Sequence, residues 1–389
     1  MMNDEAIDMR KRTGLVLWIA ALSLCIGWGC EPGEDTQPDV GDDVDEADTE
    51  YCGDYEIEGP YSVGLKETQL EDGTPFVVFY PAADGAADEP RVEYDMRDFL
   101  PEDDRELIDD EDAPLFEINA ASDVEASGDG PFELVVFSHG MAGYRLQSSR
   151  LLAHLAGWGF VVASAEHEER NLAQVLEDAT DIDDQAPQTV RQMVDALGEL
   201  NSDGDSTLHE VMDVDRIAAT GHSMGGNATS SMLEEPEVQA AIFYGSNASA
   251  PEEASVPLMW QGGGTDDLVT LSQIRDTYEQ SDPPKSLLGL EEAGHLAFAD
   301  ICAIGAEDGG VLQIAADSGI DVPYVIEVLG EDGCRSTDLD VQKGWPIIHH
   351  YSVAHLRDAF GIDEDPVGLD DDTAACFDEI TDLEWQRHL

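Results

Sequence analysis

The segment Gly221-His222-Ser223-Met224-Gly225-Gly226 follows the strand-like stretch 214–219, which ends in Ile217-Ala218-Ala219, and no other feature of the chain restricts the fold as much. A strand that ends in Gly-x-Ser-x-Gly and passes at once into a helix makes a very tight turn. Only small residues fit two places before and two places after the serine. Gly221 and Gly225 occupy those places. The strain lifts the serine hydroxyl above the sheet, and the N–H groups that open the helix point at the same spot. The pattern predicts a nucleophile elbow at Ser223. The plain alternative is a Gly-rich strand-to-helix turn with an idle serine.

An acyl-transfer serine needs a base, and the base needs a carboxylate to orient it. In the chain order that goes with such an elbow, the acid comes next and the histidine last. Downstream, 256–261 reads as a buried strand that runs into Gly262-Gly263-Gly264-Thr265-Asp266-Asp267-Leu268-Val269. Asp266 is preferred to Asp267 as the acid, because the Asp-x-x-Val spacing before the next helix favours the first. The last strand read from the sequence, 286–290, leads to Ala293-Gly294-His295, which makes His295 the expected base. The tetrahedral intermediate also needs two backbone N–H donors. One belongs to Met224, after the nucleophile. The other is assigned to Met141, in Ser138-His139-Gly140-Met141-Ala142-Gly143 after the apolar run 132–137. Tyr144 is a candidate substrate contact; Trp260, inside a strand, reads as core.

On these residues the chain resembles the α/β-hydrolase esterases related to dienelactone hydrolase and platelet-activating-factor acetylhydrolase. The resemblance runs over roughly 59–360 and includes Gly294-His295-Leu296-Ala297-Phe298-Ala299-Asp300, similar to a Gly-His-x-x-Phe-x-Asp stretch common in that family. It implies Ser223, Asp266 and His295 as the triad and Met141 and Met224 as the oxyanion donors. Dienelactone hydrolases proper use a cysteine nucleophile; the serine here favours simple ester hydrolysis. Bacterial polyester hydrolases are also relatives, but their usual Pro-Trp pair is replaced by Phe243-Tyr244-Gly245-Ser246-Asn247, a departure at the place that serves polymer binding.

The charge is extreme: 86 acidic against 18 basic residues, formally −68. Such a surface repels nucleic acid and anionic membranes, and self-repulsion of this size is relieved by salt. A saline medium is the expected setting. The N-terminus is different. Arg10-Lys11-Arg12 precedes the apolar stretch 15–27, too short for a span of ~20 residues, and Gly29-Cys30 follows. This is the pattern of a bacterial lipoprotein signal, with 1–29 removed and Cys30 lipidated. The alternatives are ordinary signal cleavage or an N-terminal anchor helix. Residues 31–50 contain ten acids and no base, too polar to form a core. Residues 30–52 are therefore expected to be a disordered tether and 53–389 the catalytic domain, held to the cell envelope or outer surface by the anchor alone.

Export places Cys52, Cys302, Cys334 and Cys376 in an oxidising compartment. Of three possible pairings, Cys302–Cys334 and Cys52–Cys376 are favoured. The first closes the loop after His295 and the second ties the ends of the domain. There is no C-x-x-C spacing, and His349, His350 and His355 lack partner ligands at metal-binding spacing, so no metal or organic cofactor is expected. After an opening hairpin the strands alternate with helices, which predicts an α/β fold with a mostly parallel sheet and helices on both faces. The interval after 244 is too short for a large cap domain, but the long loops 83–130 and 302–344 are candidates for a partial lid. The expectation is a monomeric, exported serine carboxylic-ester hydrolase acting on a small-molecule or lipid ester through an acyl-enzyme. The alternatives are a polyester or lipid hydrolase of the same mechanism, and a non-catalytic surface lipoprotein that uses the fold as a binding module.

Overall fold

The computed structural model describes residues 51–178, 184–252 and 254–386. The expected leader, Cys30 and almost all of the expected tether lie outside the described residues. The chain opens with an antiparallel hairpin, β1 (Ser62–Gln69) and β2 (Pro75–Ala82). Two strands then add to its outer side, β3 (Arg91–Asp95) and β4 (Leu115–Ser122), with a one-turn helix α1 (Glu102–Arg105) between them. The alternating part follows as β5 (Phe132–Ser138), α2 (Ser149–Gly157), β6 (Phe160–Ala165), α3 (Leu172–Glu177), α4 (Ala186–Ser202) and β7 (Met212–His222). It continues through α5 (Gly225–Met232), β8 (Val238–Tyr244), β9 (Leu258–Gly263), α6 (Leu271–Gln280) and β10 (Lys285–Leu290). After β10 come α7 (Val311–Ser318), α8 (Tyr324–Glu331), the long α9 (Val341–Phe360), the short α10 (Asp371–Ala374) and β11 (Ile380–Gln386).

All of these strands join one eleven-stranded sheet in the order β11-β10-β9-β8-β7-β5-β6-β2-β1-β4-β3. From β6 to β10 every neighbouring pair is parallel. Strands apolar at nearly every position, such as those of this central region, must be covered on both faces. Successive side chains point to opposite faces, and the core divides accordingly. Val135, Phe137 and Val162 pack on the α2 and α9 side. Leu134, Val136 and Val161 pack on the α4 side, and Phe243, Trp260 and Leu287 pack against α6. Trp260 is fully buried and stacks on Phe243 at 5.0 Å.

Two segments differ from the reading of the sequence. The stretch 83–130 is not only a loop, since β3 and β4 within it extend the sheet. Phe116, Ile118 and Ala120 alternate inward along β4, a signal diluted by the surrounding acids. Likewise β10 is not the final strand: β11 pairs antiparallel on its open edge. Disulfides join Cys52 to Cys376 and Cys302 to Cys334.

Candidate active site

The site sits at the C-terminal ends of the parallel strands, where loops leave the sheet. Ser223 follows β7 directly and has φ of +55°, a left-handed backbone that costs a non-glycine residue about 1 kcal/mol or more. Its N–H is held by the Tyr244 carbonyl at 2.9 Å. Both flanking glycines are required by space: a Cβ on Gly221 would run into the Gly225 carbonyl, and one on Gly225 into that of Ser138.

His295 lies after β10 and is 1 % exposed. Its Nδ1 is 2.8 Å from Asp266 Oδ2, so the ring donates there and leaves Nε2 as the nitrogen available to Ser223. The other Asp266 oxygen accepts the N–H groups of Leu268 at 2.9 Å and Val269 at 2.7 Å. Those two bonds give the Asp-x-x-Val spacing its physical meaning: the loop folds back to fix the carboxylate. Asp267, in contrast, points outward to Arg335 at 3.0 Å. Ser223 and His295 line one pocket, together with Met141 and Tyr144. The backbone N–H groups of Met141 and Met224 have no hydrogen-bond partner among the described residues. The Tyr144 hydroxyl is already engaged with that of Tyr94, at 3.2 Å.

The loop carrying Met141 is held from below. Ala142 has φ of +54°, and its N–H donates to the Arg170 carbonyl at 2.8 Å. The Arg170 side chain is fully buried, donating to the His139 carbonyl at 2.7 Å and Ser138 Oγ at 3.0 Å, with Asp184 as counter-ion at 2.8 Å. His139 Nδ1–H donates to the Gly140 carbonyl at 2.9 Å, and its Nε2 accepts from the His167 N–H at 3.0 Å. Burial, reinforced by the Arg170 charge, pushes the His139 pKa down to about 3, so this ring is neutral. His222 Nε2–H donates to the His295 carbonyl at 3.0 Å, while Nδ1 accepts from the Gln147 amide at 3.1 Å. Burial and then the neighbouring His295 hold this ring well below its ordinary range; it supports the backbone of His295.

Two buried carboxylates escaped the reading of the sequence as site residues. Asp332 Oδ1 accepts the His295 N–H and Oδ2 the Asp267 N–H, both at 2.9 Å. It thereby ties the histidine loop to the acid loop. Its only sequence signal is its place two residues before Cys334, inside the disulfide-closed segment. Asp300, in the Gly-His-x-x-Phe-x-Asp stretch, accepts Ser149 Oγ–H at 2.7 Å and the Arg150 N–H at 3.1 Å, anchoring the start of α2. Burial pushes its pKa up to about 7.

A family model described as PET hydrolase-like matches residues 126–304, the stretch from just before β5 to just past His295. A ferulic acid esterase from Streptomyces cinnamoneus superposes with a TM-score of 0.56 at 20% identity, covering 77% of this chain and 90% of that one. The fold is that of the α/β-hydrolases. The chain is also 28% identical over 170 residues to Cutinase est1 of Thermobifida alba, 42% of this chain and 53% of that relative. The chain thus spans about half the length of the curated relative it matches. Among the described residues, no group of three or more His, Cys, Asp or Glu side chains is arranged to hold a metal ion, and no helix is long and apolar enough to cross a membrane.

Proposed function

We propose that the chain is a serine carboxylic-ester hydrolase that works through an acyl-enzyme. The observation that carries this reading is the strained Ser223 sharing a pocket with a histidine whose far nitrogen is fixed on a buried carboxylate. Ser223 Oγ attacks the ester carbonyl carbon as His295 Nε2 takes its proton. Asp266 keeps the ring in the required tautomer and stabilises the imidazolium. The N–H groups of Met141 and Met224 receive the oxyanion. The alcohol leaves with the proton from His295; water, activated by the same nitrogen, then releases the acid. The names of the relatives, a cutinase and a ferulic acid esterase, support the reaction class.

The exported, lipid-anchored state is part of the same proposal. Its support is the Arg10-Lys11-Arg12, 15–27 and Gly29-Cys30 pattern, together with two disulfides in the folded part, which persist in oxidising compartments. The proposed division is a leader at 1–29, a tether at 30–52 and the catalytic domain at 53–389, acting as a monomer.

The test is hydrolysis of p-nitrophenyl acetate by the protein and by Ser223→Ala, with labelled palmitate fed to cells expressing the chain or Cys30→Ser. Loss of turnover by about 10⁴-fold or more in a folded Ser223→Ala variant is expected. Turnover that survives the substitution removes the serine mechanism. No turnover by the folded parent favours a binding module. Label retained by Cys30→Ser removes the anchor at that cysteine.

A further inference from the structure

The pocket beside Ser223 is walled by the two segments that interrupt the sheet-and-helix alternation. Leu100 and Ile108 come from the segment between β2 and β5; Ile314, Ala315 and Ile326 come from α7 and α8. The two walls meet each other. Ile108, Ile314 and Ile320 form a buried apolar cluster, with Leu100 and Ala315 packed against it. The pocket therefore has a closed apolar far side, and that side is built from aliphatic side chains.

Its polar content is confined to the reacting end. No Asp, Glu, Lys or Arg is among the described residues that line it, in a chain with 86 acidic residues. The Gln147 Nε2 group donates to His222 Nδ1 and Ser148 Oγ, and the Tyr144 hydroxyl is engaged with that of Tyr94. An aryl acid with a phenol or a second carboxylate would bury those groups here without partners, at substantial cost. A flexible alkyl chain meets no such penalty. We infer that the pocket receives an aliphatic arm of the substrate, so that the preferred esters carry a long alkyl chain rather than an aromatic acid. The inference rests on the serine-esterase reading and names the substrate class of that site.

Each methylene moved from water into such a surface is worth about a threefold to fourfold gain in kcat/KM until the pocket is full. The experiment measures kcat/KM of the full-length protein, below micelle concentrations, on two series. One varies the acyl chain of p-nitrophenyl esters from acetate to palmitate, and the other varies the alcohol of acetates from methyl to octyl. Methyl ferulate and p-nitrophenyl benzoate are the aromatic controls. The expected result is a rise of about 30-fold or more along one series. Ala315→Trp and Leu100→Trp, one from each wall and both at partly exposed positions, should each lower the long-to-short ratio about tenfold. The ratio is read from whichever variant keeps the parent's circular dichroism. Profiles flat in both series, an aromatic ester preferred to the best alkyl ester, or an unchanged ratio in the folded variants overturns the inference. If Ser223-dependent acetate turnover persists alongside a flat profile, only the substrate class falls; if no ester is turned over, the esterase reading falls with it.

Discussion

Asp332 shows how much one buried carboxylate can organise. Each of its oxygens takes one backbone N–H, from His295 and from Asp267, so the proposed base and the loop of its proposed acid are registered to a common point. Asparagine keeps one acceptor and turns an N–H₂ toward the other N–H. Asp332→Asn is expected to lower kcat by about 10- to 100-fold with KM little changed, because misplacement by a fraction of an ångström acts on the transition state. Asp267→Asn should leave kcat within about twofold, since that side chain makes one exposed ion pair and its N–H is retained. Equal losses in the two variants would remove the positioning role. The contrast also marks what a sequence can disclose at this scale. The convergence of Ser223, Asp266 and His295 was legible because the proposed chemistry demands particular residue types in a fixed order beside recognisable turns. Asp332 and Arg170 hold backbone groups far away in the chain, and a backbone N–H or carbonyl leaves no residue-type signature where it resides.

The same distinction applies to elements. The central strands were legible from largely apolar runs, because burial on both faces leaves few polar positions to confuse the pattern. β3, β4 and β11 were missed. They lie toward the sheet edges, half exposed, and carry acids between their inward residues. Helix α6 shows a use of charge that composition hides. The chain has four lysines, and Lys285 Nζ donates to the Tyr278 and Ser281 carbonyls at 2.6 and 2.7 Å, closing the C-terminal end of α6. α7 and α8 are short and lie within the loop closed by Cys302 and Cys334, 32 residues apart. Closing a loop of that size constrains the unfolded chain by about 3–4 kcal/mol. The Cys302→Ser/Cys334→Ser variant should therefore unfold at lower denaturant by a comparable free energy. An unchanged unfolding midpoint would show that the crosslink adds nothing.

At the scale of the whole molecule, most of the few cations among the described residues are already committed. Arg97, Arg145, Arg170, Arg191, Arg275 and Arg357 each pair with a carboxylate, and Arg150 lies over the Phe116 and Trp345 rings. The rest of the acidic surface repels itself, and raising salt from about 0.1 M to 1 M shortens the screening length from about 10 Å to about 3 Å. Buried histidines act in another direction. Burial pushes His139 down to about 3 and His154 and His355 to about 4. In the unfolded chain these rings take protons below about pH 6.5, which the folded state refuses until about pH 3–4. Their contribution to stability is complete above about pH 6.5 and is lost as pH falls toward 4. A map of Tm against pH and NaCl should show a rise with salt at neutral pH and a fall below about pH 6.5 that persists at high salt. A Tm insensitive to salt would refute surface repulsion, and a flat acid limb would refute the buried rings.

Finally, the Cys302–Cys334 bridge closes a segment whose two ends meet beside the histidine it serves. The segment 303–331 is thus anchored at both ends: Asp332 and the crosslink hold it to the His295 loop, while α7 and α8 between them form one wall of the pocket. Substitutions in α7 and α8 can therefore reshape that wall while the ties to His295 stay in place.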